Sequence, residues 1–262
     1  MKMNKHYIKF AAIFTVFAVT ALFASCSKYY GELTTQNYPI EGNYTKLDIS
    51  NAFDVTVSDD VTEAVVTVPE DLHSKLKLKV EKGTLYIGFT PSIIVAGNDC
   101  TVVLPRNASL EDLEVSGASS FRGDLQGTSS EIEISGASAF YGNVTSSTVE
   151  FDISGASTVN VNLLADNIEA DVSGASKVTF EGDCTGTMDM DVSGSSNMYA
   201  PNLNTDIVKG SLSGSSTADV TVCSRIAVAV SGASTLTYGT SSQECHPSWG
   251  CTTSGSSSII PR

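Results

Sequence analysis

The stretch EIEISGASAF, residues 131–140, decides the fold. Its core, SGAS or SGSS, begins again at Ser116, Ser135, Ser154, Ser173, Ser193, Ser213, Ser231 and Ser254. Taken from glycine to glycine (Gly117, Gly136, Gly155, Gly174, Gly194, Gly214, Gly232 and Gly255), the steps are 19, 19, 19, 20, 20, 18 and 23 residues. Self-similarity at this period marks a solenoid, and the β-branched, alternating residues of each unit make it a β-solenoid. Two residues before the glycine stand Val115, Ile134, Ile153, Val172, Val192, Leu212 and Val230; four residues after it stand Phe121, Phe140, Val159, Val178, Met198, Ala218 and Leu236. Apolar residues at period two on both sides of a corner predict strands folded around a narrow interior. Stacked coils would bury faces that no single coil buries alone. The glycine supplies a corner at positive φ, the next Ala or Ser a small side chain, and the flanking serines bonds to backbone or to one another up the stack.

KLDISNAFDVTV (46–57) repeats the pattern with Asn51 in the glycine slot, and Asn is the next most tolerant residue for a left-handed backbone. AVVTV, LKLKV, TLYIGF and CTVVLP, between Ala64 and Pro105, predict further strands. The expected organisation is one β-domain over 44–262: degenerate coils at 44–105, regular coils at 106–240, and a C-terminal cap at 241–262.

Residues 1–25 differ in character. Lys2, Lys5 and Lys9 precede the apolar run FAAIFTVFAVTALFA (10–24), which is shorter than the roughly 20 residues needed to cross a bilayer and reads as an export signal. FASC (23–26) resembles the lipobox of bacterial lipoproteins, which implies lipidation of Cys26 and a tether over 26–43. The expected location is the cell envelope, with the membrane as partner through that lipid and the outer membrane as its site.

Removing residues 1–25 takes three lysines and no acid from 15 basic and 29 acidic residues, leaving a formal charge of −17. Such a chain lacks the basic footprint that nucleic acids require. Five cysteines follow Cys26. Cys245 and Cys251, in CHPSWGC, are the expected disulfide of an exported protein, while Cys184 and Cys223 read as small core residues. A metal site at Cys245, His246 and Cys251 lacks a fourth ligand.

An export signal, the opening YTKLDISNAFDVTV, the middle LKLKVEKGTLYIGF and the serial EIEISGASAF units together resemble the bacterial family of putative auto-transporter adhesins with a head GIN domain, over about residues 44–240. The resemblance implies an all-β, right-handed parallel β-helix with 19–20 residues per coil, common in Bacteroidetes. No catalytic residue of that family carries over.

Chemistry is sought in three places. Eight equivalent serines without a repeated base do not form a triad, since the chain after residue 25 has only His73 and His246. Three residues before the glycine stand Glu114, Glu133, Asp152, Asp171 and Asp191; five before it stand Asp112, Glu131, Glu150, Glu169 and Asp189. These two outward ladders have two open readings: a solvated face that fixes register and solubility, or a Ca²⁺-type site whose first ladder supplies the oxygens. On the other side of the corner, Arg122, Tyr141, Asn160, Thr179 and Tyr199 form a nearly neutral, lightly aromatic strip, the candidate face for a glycan or surface protein. The leading expectation is a non-catalytic envelope lipoprotein without cofactor, with a carbohydrate-active β-helix enzyme and a periplasmic structural or assembly factor as rivals.

Overall fold

The computed structural model describes residues 31–91, 100–242 and 244–262. The signal region and Cys26 lie outside the described residues. The strands are β1 (Leu33–Tyr38), β2 (Lys46–Ile49), β3 (Phe53–Ser58), β4 (Ala64–Pro69), β5 (Leu76–Glu81), β6 (Thr84–Phe89), β7 (Cys100–Pro105), β8 (Asp112–Val115), β9 (Ser120–Arg122) and β10 (Leu125–Gln126). They continue as β11 (Ser129–Ile134), β12 (Ala139–Ile153), β13 (Thr158–Val172), β14 (Lys177–Val192), β15 (Asn197–Leu212), β16 (Thr217–Val230), β17 (Thr235–Gly239), β18 (Ser248–Trp249), β19 (Thr252–Thr253) and β20 (Ser258–Pro261). A single 3₁₀ segment, Glu70–Lys75, interrupts them among the described residues.

From β8 onward each coil pairs in parallel with the next, giving a β-solenoid of about 8 turns. Register follows the glycine count: Ile132 lies against Leu113 and Phe151, and Phe140 against Phe121 and Val159. These columns fill the interior, where Phe121 and Phe140 stack at 5.8 Å and Phe151 and Phe180 at 4.7 Å between centroids.

The corner explains the repeat. Gly155 and Gly174 have φ of 75° and 76°. They are also locked by contact: a Cβ on Gly155 would stand 2.3 Å from the carbonyl oxygen of Gly136, and one on Gly174 would stand equally close to that of Gly155. Those same carbonyls accept the next coil's bonds, from the N–H of Ala156 at 2.8 Å and of Ala175 at 2.7 Å. The residue after the glycine is exposed rather than confined; the buried slot belongs to the last serine. Ser119, Ser138, Ser157, Ser176, Ser196, Ser216 and Ser234 are all at 2 % exposure or less. Within a corner, Ser157 Oγ donates to the Ser154 carbonyl at 2.8 Å and Ser216 Oγ to that of Ser213 at 2.9 Å. Between coils, the N–H of Ser157 donates to Ser176 Oγ and that of Ser176 to Ser196 Oγ. A hydroxyl is small enough for this slot and closes the bonds that the bend leaves open.

At the N-terminal end the expectation holds where β2 and β3, and beyond them β6 and β7, stack in parallel, and it fails at β1, β4 and β5. Asn51 has φ 67°, and β2 and β3 stack in register on β8 and β9, with Ala52 N–H donating to the Gly117 carbonyl. Residues 64–105 are not further coils throughout: β4 runs antiparallel to both β1 and β7, and β5 antiparallel to β6. Period-two alternation fits either direction, so it could not tell them apart. The β5–β6 link is a two-residue turn at Lys82 and Gly83, both at positive φ (51° and 84°), the geometry of a tight hairpin. The region expected as a tether over 26–43 includes β1, which pairs along β4 and is pinned where Tyr38 Oη meets His73 Nδ1 at 2.8 Å. The region expected as a cap over 241–262 carries a last partial coil: Gly255 has φ 72°, and Ser256 N–H donates to the Gly232 carbonyl.

The disulfide expectation is corrected. Cys245 bonds to Cys223, with Cα atoms 4.5 Å apart, and Cys251 is free, its Sγ accepting from the Val228 N–H at 3.3 Å. The coil from Gly214 to Gly232 is two residues shorter than its predecessor, and Val220 and Thr221 pair with Ala200 and Asn204, skipping the intervening residues. Thr221 and Val222 are both buried, so Cys223 lies past the interior and within reach of Cys245.

Gly174→Ala should lower stability by at least about 2 kcal/mol, since left-handed strain alone costs roughly 1–2 kcal/mol and the Gly155 carbonyl must also move; Ala175→Ser at the exposed neighbour should change the urea midpoint little. Cys245→Ser should lose about 3 kcal/mol, the closure entropy of a 22-residue separation, while Cys251→Ser loses far less. Non-reducing peptide mapping should recover the 223–245 cross-link.

Candidate binding face and acidic ladders

The strip expected beside the corner is assembled as drawn. Tyr141 pairs with Arg122 and Asn160, Asn160 with Thr179, and Thr179 with Tyr199, one residue per rung about 4.8 Å apart. Side chains alternate across a strand, so burying Phe121, Phe140, Val159, Val178 and Met198 forces these five neighbours outward. The Arg122 guanidinium lies 4.5 Å from the Tyr141 ring centre, a cation over an aromatic face. Tyr199 is 51 % exposed with no ring partner among the described residues. The strip runs beyond these five at the same offset: Thr56 precedes Arg122, and Asp219 and Thr237 follow Tyr199. Thr56 was legible by counting five residues from Asn51, as for every corner glycine.

The acidic ladders are equally regular. Glu114, Glu133, Asp152, Asp171 and Asp191 occupy successive rungs, and Asp48 extends the row by one. The second row places Glu131, Glu150, Glu169 and Asp189 in order and closes on Lys209, whose Nζ lies 2.7 Å from Asp189. Among the described residues no three Asp, Glu, His or Cys side chains form a group that could hold a metal ion, either in the first row or at Cys245, His246 and Cys251, whose first member is in the disulfide. One carboxylate per rung makes a parallel fence rather than a cage, because each side chain leaves the sheet in the same direction.

That fence is electrostatically loaded. Partial burial, then the neighbouring Glu114, push the Glu133 carboxyl above its ordinary range against the pull of Lys46. Burial, then Asp191, Glu169 and Asp152, do the same to Asp171. Relief comes at the edge, where Ser211 Oγ donates to Asp191 at 2.5 Å, and within the row, where Lys46 Nζ stands 4.0 Å from Glu133. A shallow groove of about 370 Å³ crosses the second row, lined by Thr148, Asn167, Thr187, Glu150, Glu169 and Asp189.

The serines fail the nucleophile test on geometry. The last serine of the first seven copies is buried and bonded, and His73 is engaged elsewhere, its Nε2 at 3.0 Å from Thr34 Oγ1.

Comparison with known proteins matches the chain to the family described as putative auto-transporter adhesin, head GIN domain, over residues 43–241. The chain belongs to that family. Among curated proteins none matches. Solved structures share the fold: a putative adhesin from Parabacteroides distasonis at 22 % identity, covering 88 % of this chain and 98 % of its own, with a TM-score of 0.75. A putative adhesin from Parabacteroides merdae, at 17 % identity, covers 90 % of this chain and 98 % of its own with a TM-score of 0.76. A third, from Parabacteroides distasonis and described as a putative lipid binding protein, has 18 % identity, covers 88 % and 97 %, and has a TM-score of 0.75. The family and its neighbours are adhesin-like.

A carboxyl raised in the folded state binds more protons there than in the unfolded chain, so its contribution to stability falls as pH rises between the two values and returns on acidification. Glu133→Gln and Asp171→Asn should therefore each raise the melting temperature at neutral pH, by an amount on the scale of one like-charged cross-strand pair, about 0.2–1 kcal/mol. The difference from wild type should vanish once pH falls below the ordinary carboxylate range of about 4, as followed by circular dichroism melts.

Proposed function

We propose that this protein is a non-catalytic adhesin-like module of the cell envelope, tethered through Cys26, which engages a glycan or a surface protein along the Arg122–Tyr141–Asn160–Thr179–Tyr199 strip. The observation that carries this reading is the strip's register: five outward side chains of mixed aromatic, amide, hydroxyl and guanidinium character on consecutive rungs. Exposed aromatic faces suit the apolar faces of sugar rings, and amides and hydroxyls suit their hydroxyl groups. A rigid ladder also presents these groups already ordered, which lowers the entropy lost on binding.

The tether is consistent with this arrangement. Six residues, 27–32, separate Cys26 from β1 and can span at most about 20 Å, which keeps the N-terminal end of the solenoid close to its anchor. The strip starts on the third stacked rung of its row and runs away from that end.

The carbohydrate-active alternative asks for two carboxyl groups flanking a scissile bond. Glu150, Glu169 and Asp189 instead stand side by side along one row.

Tyr141→Ala combined with Tyr199→Ala should reduce binding at least tenfold to whichever glycan or matrix protein is retained in an array screen, with an unchanged melting curve. Glu150→Gln should leave that binding intact. Binding that survives the double tyrosine change would overturn the assignment of this face.

A further inference from the structure

One region contradicts the acidic character of the chain. Residues 75–82, KLKLKVEK, hold four of the twelve basic residues that follow residue 25, together with one acid. Lys75 ends the 3₁₀ segment, and the others form β5 and its turn into β6. β5 pairs with β6 alone among the described residues, so it is the outer edge of the sheet. The row then proceeds through β6, β2, β8, β11, β12, β13, β14, β15 and β16 to β18. At about 4.8 Å per pairing, that places Trp249 of β18 roughly 50 Å from β5. β1, where the chain from residues 1–30 enters the fold, is likewise the last strand of its own row, beyond β4, β7 and β3. The basic edge and the strand nearest Cys26 therefore lie at the same end.

The side chains suit an anionic surface. Lys75, Lys79 and Lys82 are exposed, and Lys77 extends across the Tyr86 ring at 3.6 Å. Lys79 heads the row that passes through Tyr86 and Asp48 to Glu114, Glu133, Asp152, Asp171 and Asp191. The β5 edge thus gathers the lysines of this end, with Glu81 paired to Lys79 at 2.7 Å and Glu70 and Asp71 just before Lys75, while the shaft carries the carboxylate rows.

We propose that the β5–β6 hairpin is the foot of the solenoid, with Lys75, Lys77, Lys79 and Lys82 resting on anionic phospholipid headgroups. The carboxylate ladders are repelled by the same surface, so the two charges act together to stand the shaft away from the bilayer. Juxtamembrane lysines interact with anionic headgroups over about one Debye length, which restricts the effect to this end. The inference rests on the tethered reading above only for which end faces the membrane.

The test supplies the tether artificially, so that it does not depend on lipidation of Cys26. The chain from Gly31, which contains every described core residue, is attached by an N-terminal hexahistidine to vesicles carrying nickel-chelating lipid in either phosphatidylglycerol or phosphatidylcholine. Energy transfer is measured from Trp249, the sole tryptophan, to an acceptor on the headgroups. On phosphatidylglycerol, wild type should give low transfer, and the variant Lys75→Gln, Lys77→Gln, Lys79→Gln, Lys82→Gln should give severalfold more as the shaft loses its foothold. High salt should raise wild type to the variant's level, and Lys177→Gln should behave as wild type. On phosphatidylcholine the two should coincide. Equal transfer for wild type and the quadruple variant on phosphatidylglycerol overturns the proposal. So does a variant that self-associates with unchanged transfer, the outcome if the lysines only guard an open strand edge. Tyr141→Ala with Tyr199→Ala should leave transfer unchanged, so failure of the adhesive strip and failure of the foot are read separately.

Discussion

From Gly136 to Gly232, the carbonyl of each corner glycine accepts a hydrogen bond from the coil above. With Gly136 oxygen 2.8 Å from the Ala156 N–H, there is no space for a side chain on Gly155. Everything else follows from that closeness. It sets neighbouring coils one strand spacing apart, which brings Val159 onto Phe140 inside and Asn160 beside Tyr141 outside. It also creates a narrow interior at the corner that only a serine fills while satisfying the backbone groups around it.

The same regularity makes the surface a set of rows. A residue type written once per coil becomes a line of like groups, and whether the line is tolerable depends on its charge. Neutral Asn160 and Thr179 can lie beside tyrosines at no electrostatic cost, whereas Glu133 and Asp171 must be protonated more readily than free carboxyls to sit among theirs. Lys209 and Ser211 appear where the acidic rows end, neutralising or bonding the last members, and Lys46 reaches Glu133 within its row. A row of this kind resists slippage, because a shift by one residue would bury the carboxylates.

The ends obey different rules from the middle. Antiparallel β1, β4 and β5 finish the N-terminal side, and the lysines of β5 give that side its opposite charge. At the other end β18, β19 and β20 are short, and the Cys223–Cys245 bond ties their approach segment to β16. Both ends lack a neighbour on one side, so each relies on devices that the interior coils do not need.

Spacing alone determined the parallel coils, the inward columns, the outward strip and both acidic ladders, because one residue per coil at a fixed offset from Gly136 or Gly155 can point only one way. It even placed Asn51 at a left-handed corner. What spacing could not decide were the places where the period breaks. The direction of β4 and β5 was hidden since alternation is the same for parallel and antiparallel strands. Cys223 was misplaced because its coil is two residues short, which moves it past the interior and toward Cys245. That the carboxylates form a fence and not a cage, and that the basic hairpin shares an end with the incoming chain, depend on which strand lies next to which. Only the folded stack specifies that.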